Sequence, residues 1–146
     1  MITNIITNAA AASSSYSAIL PTTELWGTGN AASGQLNNSV GSAFLLQVNS
    51  GSVWVSESMG FSNVCAIKTD GTLWSWGGGG MTGDGTSISR SSPVQIGTLN
   101  TWTNVYSGYA TSFAIKTDGT LWSWGTNQYG QLGLGDVTTR SSPVQV

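Results

Sequence analysis

"AIKTDGTLWSWG" stands at residues 66–77 and again, letter for letter, at residues 114–125 of a 146-residue chain. Asp-Gly between alternating apolar and polar residues is the strongest short signal for a β-hairpin. The stretch therefore reads as strand, two-residue primed turn, strand. Centring the turn on Asp118-Gly119 pairs Ile115 with Trp122 and Phe113 with Trp124 on one face, and Ala114 with Ser123 on the other. One face is then bulky and the other small, which suits sheets stacked face to face with large side chains seated over small ones. Asp70, Gly71, Trp74 and Trp76, with Asp118, Gly119, Trp122 and Trp124, are expected to be hairpin and core residues.

Ala66 and Ala114 lie 48 positions apart, and a further shift of 48 brings Leu25-Trp26 under Leu73-Trp74 and Gly29 under Gly77. Gly34-Gln35-Leu36 then falls on Gly130-Gln131-Leu132, so the first third of the chain is an eroded third copy. All seven tryptophans occupy three columns: Trp26, Trp74 and Trp122; Trp54 and Trp102; Trp76 and Trp124. "RSSPVQ" recurs at 90–95 and 140–145, an offset of 50, so the last copy carries two extra residues after Gly125. The first copy departs most: it has Thr22-Thr23 for Asp-Gly, Ile6 in a Trp column and Ala12 for the glycine at Gly60 and Gly108. Terminal repeats are often atypical because they meet a different neighbour.

Each unit also holds a strand around Trp54 or Trp102 and one at "PVQI" or "PVQV", where Pro93 and Pro143 suit a strand start or an edge. Four short strands per unit of this length, with Gly-rich turns, are the pattern of a propeller blade. No segment shows helical apolar spacing. The expected fold is all-β and propeller-like, about three four-stranded antiparallel blades in one continuous domain. It divides at 1–50, the divergent copy, 51–98 and 99–146.

Composition narrows the function classes. Hydrophobic residues make up 39% but charged residues only 7%, so the surface must be built from Ser, Thr, Asn, Gln and Gly. A net charge of −2 with four Lys plus Arg supplies no basic patch, and nucleic-acid binding is not expected. A lone Cys65 and no His exclude a disulfide framework within the chain and a soft-ligand zinc site, and no metal or cofactor is expected. No apolar run reaches the roughly 18 residues of a membrane helix, and no basic n-region precedes an apolar stretch as in a signal peptide. Membrane insertion is not expected.

Catalytic readings fare poorly against structural ones. Asp70 and Asp118 sit where turn geometry selects Asp, and Asp84 and Asp136 offer one carboxylate per Gly-rich loop, too few for calcium. "WGGGGMTGDG" lacks the Gly-Lys-Ser/Thr ending of a phosphate loop. Serine has no histidine to activate it. Lys68 and Lys116 share a hairpin column, placed opposite Leu73 and Leu121, which marks them as structural. Cys65 aligns with Phe113 and Ser17 and reads as a small buried residue. No enzyme is expected. The candidate ligand or partner contacts are Trp54 and Trp102, on the strand nearer a unit boundary, and Arg90 and Arg140, which either pair with a neighbouring blade's acid or rim a binding site.

The pattern "AIKTDGTLWSWGTNQYGQLGLGD" followed by "TRSSPVQV" resembles a repeat of the regulator of chromosome condensation family in its bacterial and viral form. The resemblance is strong over 52–146 and weak over 1–50. It implies a propeller, commonly seven-bladed in that family. The exchange-factor activity and chromatin docking of the eukaryotic namesake are not carried over, because no inter-repeat insertion and no basic tail are present. The resulting expectation is a non-catalytic structural or protein-interaction module. Its partners are copies of itself or another structural protein, in a setting such as a virion, fibre or cell surface. The alternative is a lectin that binds glycans between its blades.

Overall fold

The computed structural model describes residues 16–19, 25–29 and 42–48 by their backbone and residues 54–78 and 82–146 in full. Its described residues form only strands and turns. β1 (Tyr16–Ile19), β2 (Leu25–Gly29) and β3 (Ser42–Val48) make one antiparallel sheet in sequence order. The second sheet is β4 (Trp54–Met59), β5 (Asn63–Lys68), β6 (Leu73–Gly77) and β7 (Arg90–Gln95). The third is β8 (Trp102–Ser107), β9 (Thr111–Lys116), β10 (Leu121–Gly125) and β11 (Arg140–Gln145), again in sequence order. Pro93 and Pro143 lie on β7 and β11, the sheet edges, where a missing N–H costs nothing.

The hairpin turn differs from the expected primed turn by one residue. The Gly119 amide donates to the Lys116 carbonyl at 2.9 Å and the Lys116 amide donates to the Thr120 carbonyl at 3.1 Å. Thr117, Asp118 and Gly119 thus form a three-residue loop, a type I turn closed by a left-handed glycine bulge at φ +82°. The Asp118 carboxylate favours this geometry, accepting from the Thr120 amide at 3.0 Å and the Thr120 hydroxyl at 2.6 Å.

One extra loop residue shifts every cross-strand pair. Trp122 lies opposite Ala114, Trp124 opposite Ser112 and Ser123 opposite Phe113, not in the register centred on Asp-Gly. The second blade repeats this, with Trp74 opposite Ala66 and Trp76 opposite Val64. Each tryptophan therefore covers a small residue or valine on its own sheet face. The expected division into one bulky and one small face is replaced by large-small pairing within the tryptophan face.

Blades stack unlike face to unlike face. Cys65, Ile67 and Leu73 of the second blade, on the face away from its tryptophans, pack with Ile96 on Trp102, Val105, Ala114 and Trp124 of the third. A second cluster, Trp54, Val64, Ala66 and Trp76, forms the second blade's tryptophan face. The third blade's innermost strand, β8, lies against both β4 and β5. In the first copy Ala18 stands opposite Trp26, the same register as Ala66 with Trp74, while its Thr22-Thr23 turn lies outside the described residues.

Candidate functional site

The repeated hairpin carries a polar and aromatic assembly of its own. Thr120 donates its hydroxyl to Asp118 and accepts the Trp122 indole N–H at 2.9 Å; Thr72 does the same between Asp70 and Trp74 at 2.8 Å. The Lys116 ammonium lies 3.5 Å from the centroid of the Trp122 ring and 4.9 Å from that of Trp102, and those rings meet edge to face. Lys68 lies likewise between Trp74 and Trp54. Cation–π attraction and the apolar lysine stem fasten the innermost strand to the hairpin. Lys68 and Lys116 are thus structural, but they pair with Trp54 and Trp102 across the sheet and not with Leu73 and Leu121. Hydrogen bonds from Thr72 and Thr120 hold the Asp70 and Asp118 carboxyls below the usual carboxylate range.

Arg90 and Arg140 find their acids within their own repeats. Arg90 meets Asp84 and Arg140 meets Asp136, each at 2.6 Å. The expected partner in a neighbouring blade is replaced because each aspartate ends the Gly-rich loop leading into the arginine's strand, a closure over four to six residues that needs no second sheet. Burial raises the Asp84 pKa, but hydrogen bonds from Thr86 and Arg90 outweigh it and keep the carboxyl low. These carboxylates are occupied.

Trp54 and Trp102, the expected ligand or partner contacts, are both buried. They are 1% and 4% exposed, because the innermost strand is covered by the neighbouring sheet and the lysine above it. Both indole N–H groups are buried without an acceptor, beside a cation that can only donate. A cleft of about 280 Å³ opens between the second and third blades, and Trp102 lies in its wall with Gly83, Ile96, Leu99, Trp122 and Pro143.

The groups that join the second blade to the third define what a blade uses to dock. The Ser58 hydroxyl accepts from the Ser107 amide at 2.8 Å and the Ser56 hydroxyl from the Val105 amide at 3.4 Å. Asn63 donates to the Ser112 hydroxyl at 3.0 Å. At the rim, the Gly85 amide donates to the Ser141 carbonyl at 2.8 Å, and the Gly71 carbonyl accepts from the Trp102 amide at 3.1 Å. Phe61 stacks on Tyr109, its counterpart in the next repeat, with centroids 4.5 Å apart.

On the third blade the same face stands open. Ile67 and Leu73 are fully buried, whereas their counterparts are Ile115, half-buried, and Leu121, 39% exposed. Tyr106, in the Ser58 column, is 54% exposed. No atom approaches the position of a Cβ on Gly119 or Gly135, whereas one on their counterparts Gly71 and Gly83 would meet the Asn100 carbonyl and the Trp124 ring of the inter-blade contact. Part of the face is covered from within: the longer loop of this copy buries Leu132, whose carbonyl accepts from the Ser123 hydroxyl at 2.9 Å. Asn127 braces that loop by bonding Leu132 and Asp136. Tyr109 and Tyr129, with Gln128 and Gln131, frame an uncharged recess of about 530 Å³ at the rim. The sequence signal for these residues is the apolar hairpin column itself, Ile115 and Leu121 standing where Ile67 and Leu73 stand one repeat earlier.

The architecture is that of stacked antiparallel propeller blades, a class of repeat protein. Residues 118–146 match the regulator of chromosome condensation (RCC1) repeat and residues 102–131 match a second model of it, so residues 102–146 carry repeat sequence of that family. A search of the curated proteins finds no match. Among solved structures, human WBSCR16 is similar at a TM-score of 0.80 with 22% identity, over 97% of this chain and 39% of that one. Prp20p from Saccharomyces cerevisiae, studied for binding to Gsp1p and histones, gives a TM-score of 0.78 with 18% identity, over 97% and 38%. Yeast RCC1 (Prp20) bound to Kap60 gives 0.76 with 17% identity, over 97% and 37%. The chain therefore spans about two fifths of the length of these neighbours.

Proposed function

We propose that this chain is a non-catalytic protein-interaction module whose docking surface is the open face of the third blade. The observation that carries the reading is the contrast between identical hairpins: Leu73 is wholly buried by a neighbouring blade and Leu121 is 39% exposed. An exposed apolar sheet face rimmed by polar groups marks an interaction site. The partners described for the yeast neighbours, Gsp1p, histones and Kap60, are proteins, which supports a protein as the partner class. Because histones package DNA, that comparison weakens the expectation that nucleic acid plays no part. The scarcity of charge, 7% of residues, supports a structural assembly such as a virion, fibre or cell surface.

Asn104, exposed on the same face, provides the test. Asn104→Arg should leave the melting temperature within a degree or two and abolish association measured by sedimentation velocity. Association that survives this substitution would put docking elsewhere. A second reading, glycan binding, is favoured by the uncharged rim of Phe61, Tyr109 and Tyr129, where Tyr129 is 84% exposed and Gln128 and Gln131 stand beside it. A glycan array read with Tyr129→Ala as control distinguishes it: silence across the array leaves the protein partner.

A further inference from the structure

We propose that the cleft between the second and third blades recognises a proline-containing segment of another protein, at a site separate from the open face of the third blade. The cleft has a volume of about 280 Å³, and Gly83, Ile96, Leu99, Trp102, Trp122 and Pro143 stand in its wall. A cavity of about 150 Å³ holds a benzene-sized ring, whereas sites for drug-sized molecules run to about 300–1,000 Å³. The space therefore takes one ring and the peptide group beside it. Leu99 is 46% exposed and Ser142 is exposed too, so the mouth opens to solvent and the rest of an extended segment can pass across it.

The polar groups of the wall select the class of occupant. Asp84 is the charged residue there, and its carboxylate is already used. One oxygen accepts from the Thr86 amide at 2.9 Å and the Thr86 hydroxyl at 2.8 Å, and the other accepts from Arg90 at 2.7 Å. Trp102 is the opposite case. It is 4% exposed, and its indole N–H meets no acceptor among the described residues. A buried donor without a partner is unfavourable, and an acceptor entering the cleft relieves it.

The cleft thus has a donor to spare, while behind Ser142 its described side chains have no free acceptor. A fitting group brings an apolar ring and a carbonyl but no donor of its own. Proline meets that description, because its ring is apolar and its backbone has a C=O and no N–H. Any other residue would carry an amide N–H into walls whose side chains cannot accept it, and a sugar would carry several hydroxyls. Trp122 is held in place before a ligand arrives: Thr120 accepts its indole N–H at 2.9 Å and the Lys116 ammonium lies 3.5 Å from the ring centroid. Proline-rich segments dock in aromatic-lined grooves, and their extended form is preset, so little freedom is lost on binding.

The Trp102 indole gives a direct readout. The seven tryptophans should give seven indole signals in a proton–nitrogen correlation spectrum, and Trp102→Phe assigns the one concerned. Titration with acetyl-hexaproline amide should move that signal downfield and saturate, while a Gly-Ser peptide of equal length leaves it in place. Leu99→Glu should weaken the hexaproline affinity about tenfold or more, since a carboxylate at the mouth would lose water against apolar walls. Leu99 is exposed, so this variant carries the test even where Trp102→Phe fails to fold. Asn104→Arg, on the open face of the third blade, should leave the titration unchanged.

A Trp102 signal that stays fixed at millimolar hexaproline, with water as its only acceptor, overturns the proposal, and so does an equal shift with the Gly-Ser peptide. A shift with maltose and none with hexaproline also overturns it and assigns the cleft to glycans. Loss of the titration in Asn104→Arg would move the peptide to the open face and refute this site. Failure at the cleft leaves the docking reading of the third blade standing, because Asn104→Arg tests that face by association and not by this signal.

Discussion

Lys116 is the residue whose role the sequence conceals. A lysine inside a hairpin column has no partner of opposite sign in the twelve-residue motif except the turn aspartate. The aspartate turns instead to Thr120, and the ammonium settles over two indoles. Lys116→Met keeps the stem and removes the charge; it should cost about 1–2 kcal/mol, the scale of a desolvated cation–π pair, read as a lower midpoint in urea. Glu57 gives a pH prediction. It stands in the column of the buried Val105, and burial pushes its carboxyl up from 4.5 to about 7. The unfolded chain then ionises first as pH rises. Stability is full below about pH 4.5, falls through the interval and reaches its lower plateau above about pH 7, a loss of about 1–2 kcal/mol once solvent screening is allowed for. Glu57→Gln should flatten that slope in denaturation curves; an unchanged slope would assign it to another group.

At the scale of elements, the two copies of the hairpin are a built-in control. Gly71 and Gly119 share a left-handed conformation, with φ +80° and +82°. A Cβ on Gly71 would collide with the Asn100 carbonyl, whereas one on Gly119 meets no atom. Gly119→Ala should cost about 1–2 kcal/mol from backbone strain alone. Gly71→Ala should cost at least about 1 kcal/mol more, because the backbone of the inter-blade connection must move. Equal costs in thermal melts would mean that the contact between blades contributes little. The hairpins, the Trp columns and the edge prolines were legible in the sequence because periodicity and turn chemistry act locally. The register was not, since an Asp-Gly pair fits both a two-residue turn and a three-residue bulged loop, and one residue moves every side chain to the other face. The burial of Trp54 and Trp102 was not legible either, since a strand near a unit boundary is covered or open according to how the sheets stack. Their burial depends on the lysine above and the sheet beside them.

For the whole molecule, repeat stability is a sum of blade terms and interface terms, and an end face without a partner lacks one interface term. The all-β repeat pattern and the resemblance to a known propeller family followed from sequence arithmetic. Where the arginines and aspartates pair did not, because Asp84 stands six residues before Arg90 and Asp136 only four before Arg140, so no fixed spacing announces the ion pair. The central claim is that Leu121 and its neighbours form a docking face. Light scattering on size-separated protein, comparing the unmodified chain with Leu121→Glu across a concentration series, tests this most directly. The account predicts a mass above that of one chain which rises with concentration and collapses to one chain in Leu121→Glu; a single-chain mass for both at every concentration would contradict self-docking through this face.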